Sequence, residues 1–86
     1  ASLHAYRMRI NAAVDDAIRF DPTEPRLELV RCEILLRLGR RTDAAASRER
    51  VESLDAARAL DPLMQLGDAD RRRLEASGRS LTGSDS

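Results

Sequence analysis

Cys32, His4, the neighbours Asp15 and Asp16, and the triplet Arg71-Arg72-Arg73 are the residues of this chain whose chemistry could carry a reaction or hold a ligand. A thiolate is a nucleophile and a metal ligand, but it forms at neutral pH only beside a base or a cation. Cys32 lies in an apolar stretch with no His or Lys next to it, so a buried, inert thiol is expected. His4 is the one histidine, it falls on the polar side of its helix, and no second imidazole exists to share a metal. Asp15 and Asp16 are adjacent, point in different directions on a helix, and so do not form a carboxylate pair for acid–base work. Gly-rich phosphate loops, the Gly-x-Ser-x-Gly elbow and metal-ligand spacings are absent from the sequence. A single cysteine also excludes an intramolecular disulfide and a Cys-rich zinc site. The expectation is a chain that is not an enzyme and has no cofactor or metal site.

The arginines need separate weighing. Three in a row at 71–73, and a pair at Arg40-Arg41, are able to touch phosphates or an acidic partner. However, Asp68, Asp70 and Glu75 flank the triplet within one or two helical turns, and no aromatic lies nearby to stack a base. Over the whole chain 15 basic residues cancel 15 acidic ones. That balance speaks against a nucleic-acid or membrane-surface binder and for a solvated helix with local ion pairs. Every basic residue is Arg and none is Lys, which reads as a coding bias rather than a mechanism.

The elements that would position these residues follow from periodicity. The chain has 86 residues, enough for one small domain. Thirteen residues are alanine and only Tyr6 and Phe20 are aromatic, so its core must be built mainly from Leu. No apolar run approaches the ~18 residues that span a bilayer, and no signal-peptide pattern opens the sequence, so a reducing, cytoplasmic setting is expected.

Residues 2–20 read as one helix. Leu3, Tyr6, Ile10, Ala13, Val14, Ala17, Ile18 and Phe20 share an arc of roughly 160°, with Arg7 as its one charged intruder. Ser2 is a plausible N-cap, Asp15 and Arg19 are spaced for an i,i+4 pair, and Asp21-Pro22 stops the helix. A second helix runs from about Pro25 to Leu38 and ends at Gly39. It has two apolar stripes: Leu27, Val30, Ile34 and Leu38 on one side, Leu29, Cys32 and Leu36 nearly opposite. Such a helix has to be covered twice, so it should be the central and most buried element. A third helix, capped by Thr42, continues to Leu60. Its stripe of Ala44, Val51, Leu54, Ala57 and Leu60 is thin and interrupted by Arg50 and Arg58, so weak burial is expected. Leu63, Met64 and Leu66 are placed to pack back on the bundle, and Asp68 caps a short helix to about Ser77. Residues 78–86, rich in Gly and Ser with a lone Leu81, read as a flexible tail. The alternative for that segment is that Leu81 docks beside Leu29 and Leu36. The fold expected is all-α: three main helices and a short C-terminal one in antiparallel hairpins, with residues 1–77 as a single domain.

One internal echo stands out. Val14 to Pro22 (VDDAIRFDP) recurs as Leu54 to Pro62 (LDAARALDP) with a period of 40. The run from Cys32 to Ala44 (CEILLRLGRRTDA) resembles the turn between the two helices of a tetratricopeptide repeat. Cys32, Leu35, Gly39, Arg40, Asp43 and Ala44 match that family's small, apolar, Gly-Arg and acidic-Ala places, and Ala17 with Asp21-Pro22 resembles its second-helix ending. The likeness covers residues 10–62, about one and a half repeats. The period of 40 departs from the family's 34, and Arg31, Glu28 and Arg48 stand where Leu or aromatics are usual.

The resemblance implies a non-catalytic protein–protein interaction module in which the first helix of each repeat lines the binding surface. On this chain that surface is Leu29 and Leu36, rimmed by Arg26, Glu33 and Arg37, a strip for a partner peptide or helix. The other placement for Leu29, Cys32 and Leu36 is the interior, against the first helix or the C-terminal segment. A second class of role is homodimerisation, with another copy covering the thinly buried third helix.

Overall fold

A computed structural model describes residues 2–58 and 65–82. Of these residues 84% are helical and none forms a strand, so the all-α expectation holds. The helices are α1 (Leu3–Phe20), α2 (Pro25–Arg37), α3 (Arg41–Ala57) and α4 (Asp68–Thr82). The expected end of α3 at Leu60, the Asp61-Pro62 echo, and Leu63 and Met64 lie outside the described residues.

Local chemistry sets the helix ends. The Ser2 hydroxyl accepts from the Ala5 N–H at 3.1 Å, as an N-cap should. Pro25 opens α2, and the Glu24 carboxylate accepts from the Arg26 N–H at 3.1 Å. At the other end Gly39 takes φ +78°, a left-handed conformation that suits glycine. The Arg40 N–H then donates to the Leu35 carbonyl at 2.9 Å and the Gly39 N–H to the Leu36 carbonyl at 3.1 Å, closing α2 with a Schellman motif. The Arg40 carbonyl accepts the Ala44 N–H at 2.9 Å and so begins α3. One residue ends one helix and starts the next, which fixes the α2–α3 hairpin. Thr42 is therefore inside α3 rather than its cap, and no side chain caps that end.

α2 is the centre, as its two stripes require. It packs against α1, α3 and α4, while α1 packs among the described residues on α2 alone. Leu29, Val51 and Leu66 form one interior cluster with Leu74 against it. Cys32, Leu35 and Ala44 form a second, joined by the half-buried Leu36 and Leu81. The α2–α3 pairing is the most extensive in the molecule. The first half of the thin α3 stripe is well covered: Ala44 and Val51, with Ser47 between them, are fully buried, and their small size brings the two helices close, whereas Leu54 is half-buried and Ala57 exposed. Arg50 and Arg58 point to acidic groups of α2 and its N-cap, lying 3.7 Å from Glu28 and 3.6 Å from Glu24 respectively.

Two expectations are corrected. Residues 78–82 are not tail; α4 continues to Thr82, past the boundary at 77, and Leu81 docks on the Cys32–Leu35–Ala44 cluster. Gly78 lies within the helix, and its missing Cβ leaves room for the Arg48 guanidinium, which approaches to 2.6 Å from where that Cβ would stand. Arg48 also donates to the Leu74 carbonyl at 3.2 Å. Second, α1 is turned on its axis relative to the expected arc. Asn11 is buried and Arg7, Val14, Asp15 and Ile18 are half-buried, whereas Leu3, Tyr6, Ala13 and Phe20 are exposed. Asp15 pairs with Arg31 of α2 at 3.0 Å, close but out of line for a hydrogen bond, and it is Asp16 that pairs with Arg19, at 2.7 Å.

The core assignment is checked by Leu29→Ala, which should cost ~2–5 kcal/mol in urea unfolding, the range for truncating a buried aliphatic. A cost under about 0.5 kcal/mol would place Leu29 at the surface. Truncation after Ser77 removes Leu81 and the end of α4, so the melting temperature should drop by several degrees, about 4–8 °C for each kcal/mol in a domain this small. An unchanged melting temperature would restore the tail.

Candidate functional site

α4 lies over the strip that the sequence leaves open on α2, and arginines latch it there. The Arg73 Nε donates to the Glu33 Oε2 at 3.0 Å, and its Nη1 to the Asp70 Oδ1 at 2.9 Å. These bonds hold the Arg73 guanidinium above its ordinary pKa, the hydrogen bond to Glu33 contributing most. Arg26 joins the same latch, its Nε 3.2 Å from Asp70 and its Nη2 3.2 Å from the Gln65 carbonyl. At the far end the Arg41 Nη2 donates to the Ser80 and Leu81 carbonyls at 2.9 and 2.8 Å. Those carbonyls are among the last of α4, which have no intrahelical partner.

Asp55, a residue that periodicity assigns no role, anchors the start of this segment. It is buried, accepts from the Leu66 N–H at 2.8 Å, and pairs with Arg71 at 3.0 Å. The Arg71-Arg72-Arg73 triplet is thereby divided. Arg71 and Arg73 hold carboxylates of α3, α2 and α4, and Arg72 is exposed.

The five residues expected to bind a partner accordingly separate. Leu29 is fully buried, and no partner reaches it while α4 is in place; this corrects its placement on an open strip. Arg26 is exposed but engaged with Asp70. Glu33, Leu36 and Arg37 remain together, lining an open groove of about 390 Å³ with Arg41, Arg73 and Ser80. The groove is the edge of the expected strip, left after α4 has covered the middle.

Cys32 stands under α4. Burial pushes its thiol above the ordinary value, and a hydrogen bond to Ser77 and the charge of Arg48 act the other way without overcoming it. That environment disfavours the thiolate and suits a packed side chain. His4 is exposed on α1. Among the described residues, no group of three or more His, Cys, Asp or Glu is placed to hold a metal ion, and no helix is long and apolar enough to cross a membrane.

A second surface was not singled out by the sequence. Phe20 is 93% exposed, Leu3 60% and Tyr6 55%, and the three lie along one side of α1, beside the side that meets α2. Ala13 is exposed between them, and Ile10 and Ala17 are half-buried at the edge. The apolar arc of α1 is too wide for one neighbour to cover. α2 takes the side of Asn11, Val14 and Ile18, and the rest stays open. The width of the arc was the available signal: roughly 160° of apolar surface exceeds what one packed helix hides.

Comparison with known proteins adds no identity: no protein family, curated protein or solved structure matches this chain.

Proposed function

We propose that this chain is a non-catalytic protein–protein interaction module whose contact surface is the outward side of α1. The observation that carries the reading is the exposure of Phe20, Tyr6 and Leu3 along one helix face. These include the only Phe and the only Tyr of the chain, which has no Trp. Apolar patches left open on a folded domain mark interaction sites, and aromatics are enriched in the core of interfaces. The tetratricopeptide-like α2–α3 hairpin supports the same class of role, with its turn at Gly39-Arg40 and Ala44 clustered with Cys32.

A second reading keeps the partner on α2. It is favoured by the groove beside α4, where Leu36 offers apolar surface and Arg37 and Arg41 offer charge for an acidic peptide.

Photo-crosslinking separates the two. With p-benzoylphenylalanine at position 20, 37 or 72 of the chain in its native host, a discrete adduct should form from position 20 and not from position 72. Adducts from 37 and none from 20 would move the function to the groove, and equal, diffuse labelling from all three would end the proposal. Phe20→Ser should leave the unfolding free energy at high dilution within about 0.5 kcal/mol of the parent, because an exposed side chain contributes little to the monomer's own stability. A larger loss would mean that Phe20 is part of the fold and not a surface held for a partner.

A further inference from the structure

The exposed apolar residues of α1, with the half-buried Ile10 and Ala17 beside them, have a regular spacing. Leu3, Tyr6, Ile10, Ala13, Ala17 and Phe20 follow one another at steps of three, four, three, four and three. That is the seam of a two-helix coiled coil, which presents one row of contacts to a single partner helix. Resting on the reading of α1 as the contact surface, we infer that its occupant is α1 of a second copy of this chain, packed antiparallel across a two-fold axis.

Two features select that arrangement. The first is size. In an antiparallel pair the positions Leu3, Ile10 and Ala17 face Phe20, Ala13 and Tyr6 of the other helix, in that order. Each alanine then meets a large side chain, and the seam fills. In a parallel pair Ala13 meets Ala13 and Ala17 meets Ala17, which leaves two gaps in a row of six contacts. The second feature is charge. Arg9 and Asp16 are seven residues apart and flank the seam on the same side. An antiparallel pair puts Arg9 beside the partner's Asp16, and the symmetry repeats that contact. A parallel pair instead puts Asp16 near the partner's Asp21.

The molecule leaves room for this neighbour. α2 meets α1 on the side of Arg7, Asn11, Val14 and Ile18, roughly a quarter-turn round the helix from the seam. Arg9 is exposed and takes part in none of the ion pairs seen among the described residues. Asp16 is held by Arg19 in a highly exposed pair, which exchanges partners at little cost. The interface is small. One pair of 18-residue helices is about 27 Å long and falls at or below the ~1,200 Å² that marks the low end of specific interfaces, so the dimer is a weak, concentration-dependent one.

Sedimentation equilibrium on the whole chain tests the inference. Over a concentration series the average mass should rise from 9.6 kDa toward twice that value. Arg9→Asp and Asp16→Arg, each confirmed as folded by circular dichroism, should each weaken association by roughly tenfold through two symmetric charge reversals. The double variant carrying both changes should return to the parent's affinity, and an equimolar mixture of the two single variants should associate better than either alone. A parent chain that stays monomeric throughout overturns the inference, as does a double variant no better than the single ones. A monomeric chain that still forms an adduct from position 20 with a different protein overturns the second copy while keeping α1 as the contact surface. No adduct from position 20 removes both.

Discussion

Burial of the Leu29–Cys32–Leu35 side of α2 is the constraint on which the other contacts depend. The chain has only two aromatic side chains, and Leu29, Cys32 and Leu35 are among the most completely buried of its apolar residues. α3 covers them from one side by close approach through Ala44, Ser47 and Val51. α4 covers them from the other through Leu74 and Leu81. A helix with two apolar stripes cannot be stable with one of them wet, since each large aliphatic left in water forfeits ~1.5–3 kcal/mol. The Schellman turn at Gly39 settles the first cover by fixing the hairpin. The second cover has no such local determinant and relies on side chains.

Those side chains are arginines. Arg26 reaches the Gln65 carbonyl, Arg41 the last carbonyls of α4, and Arg48 the Leu74 carbonyl. Two of these groups, Arg26 and Arg48, engage a carboxylate as well, which suits a planar fork with five donors. The absence of Lys, unremarkable as composition, thus has a structural use here. The ion pairs themselves are partly exposed and worth about 0–1 kcal/mol each. Their effect is directional: they set where α4 lies along α2, while the leucines supply the burial. Glu28 is the exception in kind. It is buried, with Arg31 and Arg50 at 4.0 and 3.7 Å, so removing its charged neighbours would strand a carboxylate in the interior.

How much of this the sequence discloses depends on the range of the interaction. Ser2, Pro25 and Gly39 act on their immediate neighbours, and the ends they set were legible. The two stripes of α2 were legible too, because they reflect one period over thirteen residues. Thr42 failed locally, because the turn at Gly39 lets Arg40 open α3; the other failures were long-range. Gly78 and Ser80 read as tail since nothing nearby shows that Arg48, thirty residues earlier, fills the glycine's empty side. Asp55 was assigned no role because its partners, Leu66 and Arg71, come later in the chain. For the candidate site, Leu29 was placed on the strip and Leu36 beside it, but only the position of α4 decides that one is interior and the other at a groove edge. On α1 the apolar arc was correct in content and wrong in aim, since a helical wheel gives the width of a face and not which part a neighbour takes.

The account stands on α4 closing the second stripe of α2, and Cys32 reports on it directly, being the only thiol and lying beneath that helix. The rate of its reaction with Ellman's reagent, measured on the native chain and again in denaturant, reads out the cover. With α4 in place the native thiol should react orders of magnitude more slowly than the unfolded one, at a rate set by local opening. A native Cys32 that reacts as fast as a free thiol would mean that the strip is open and that Leu29 belongs to a binding surface after all.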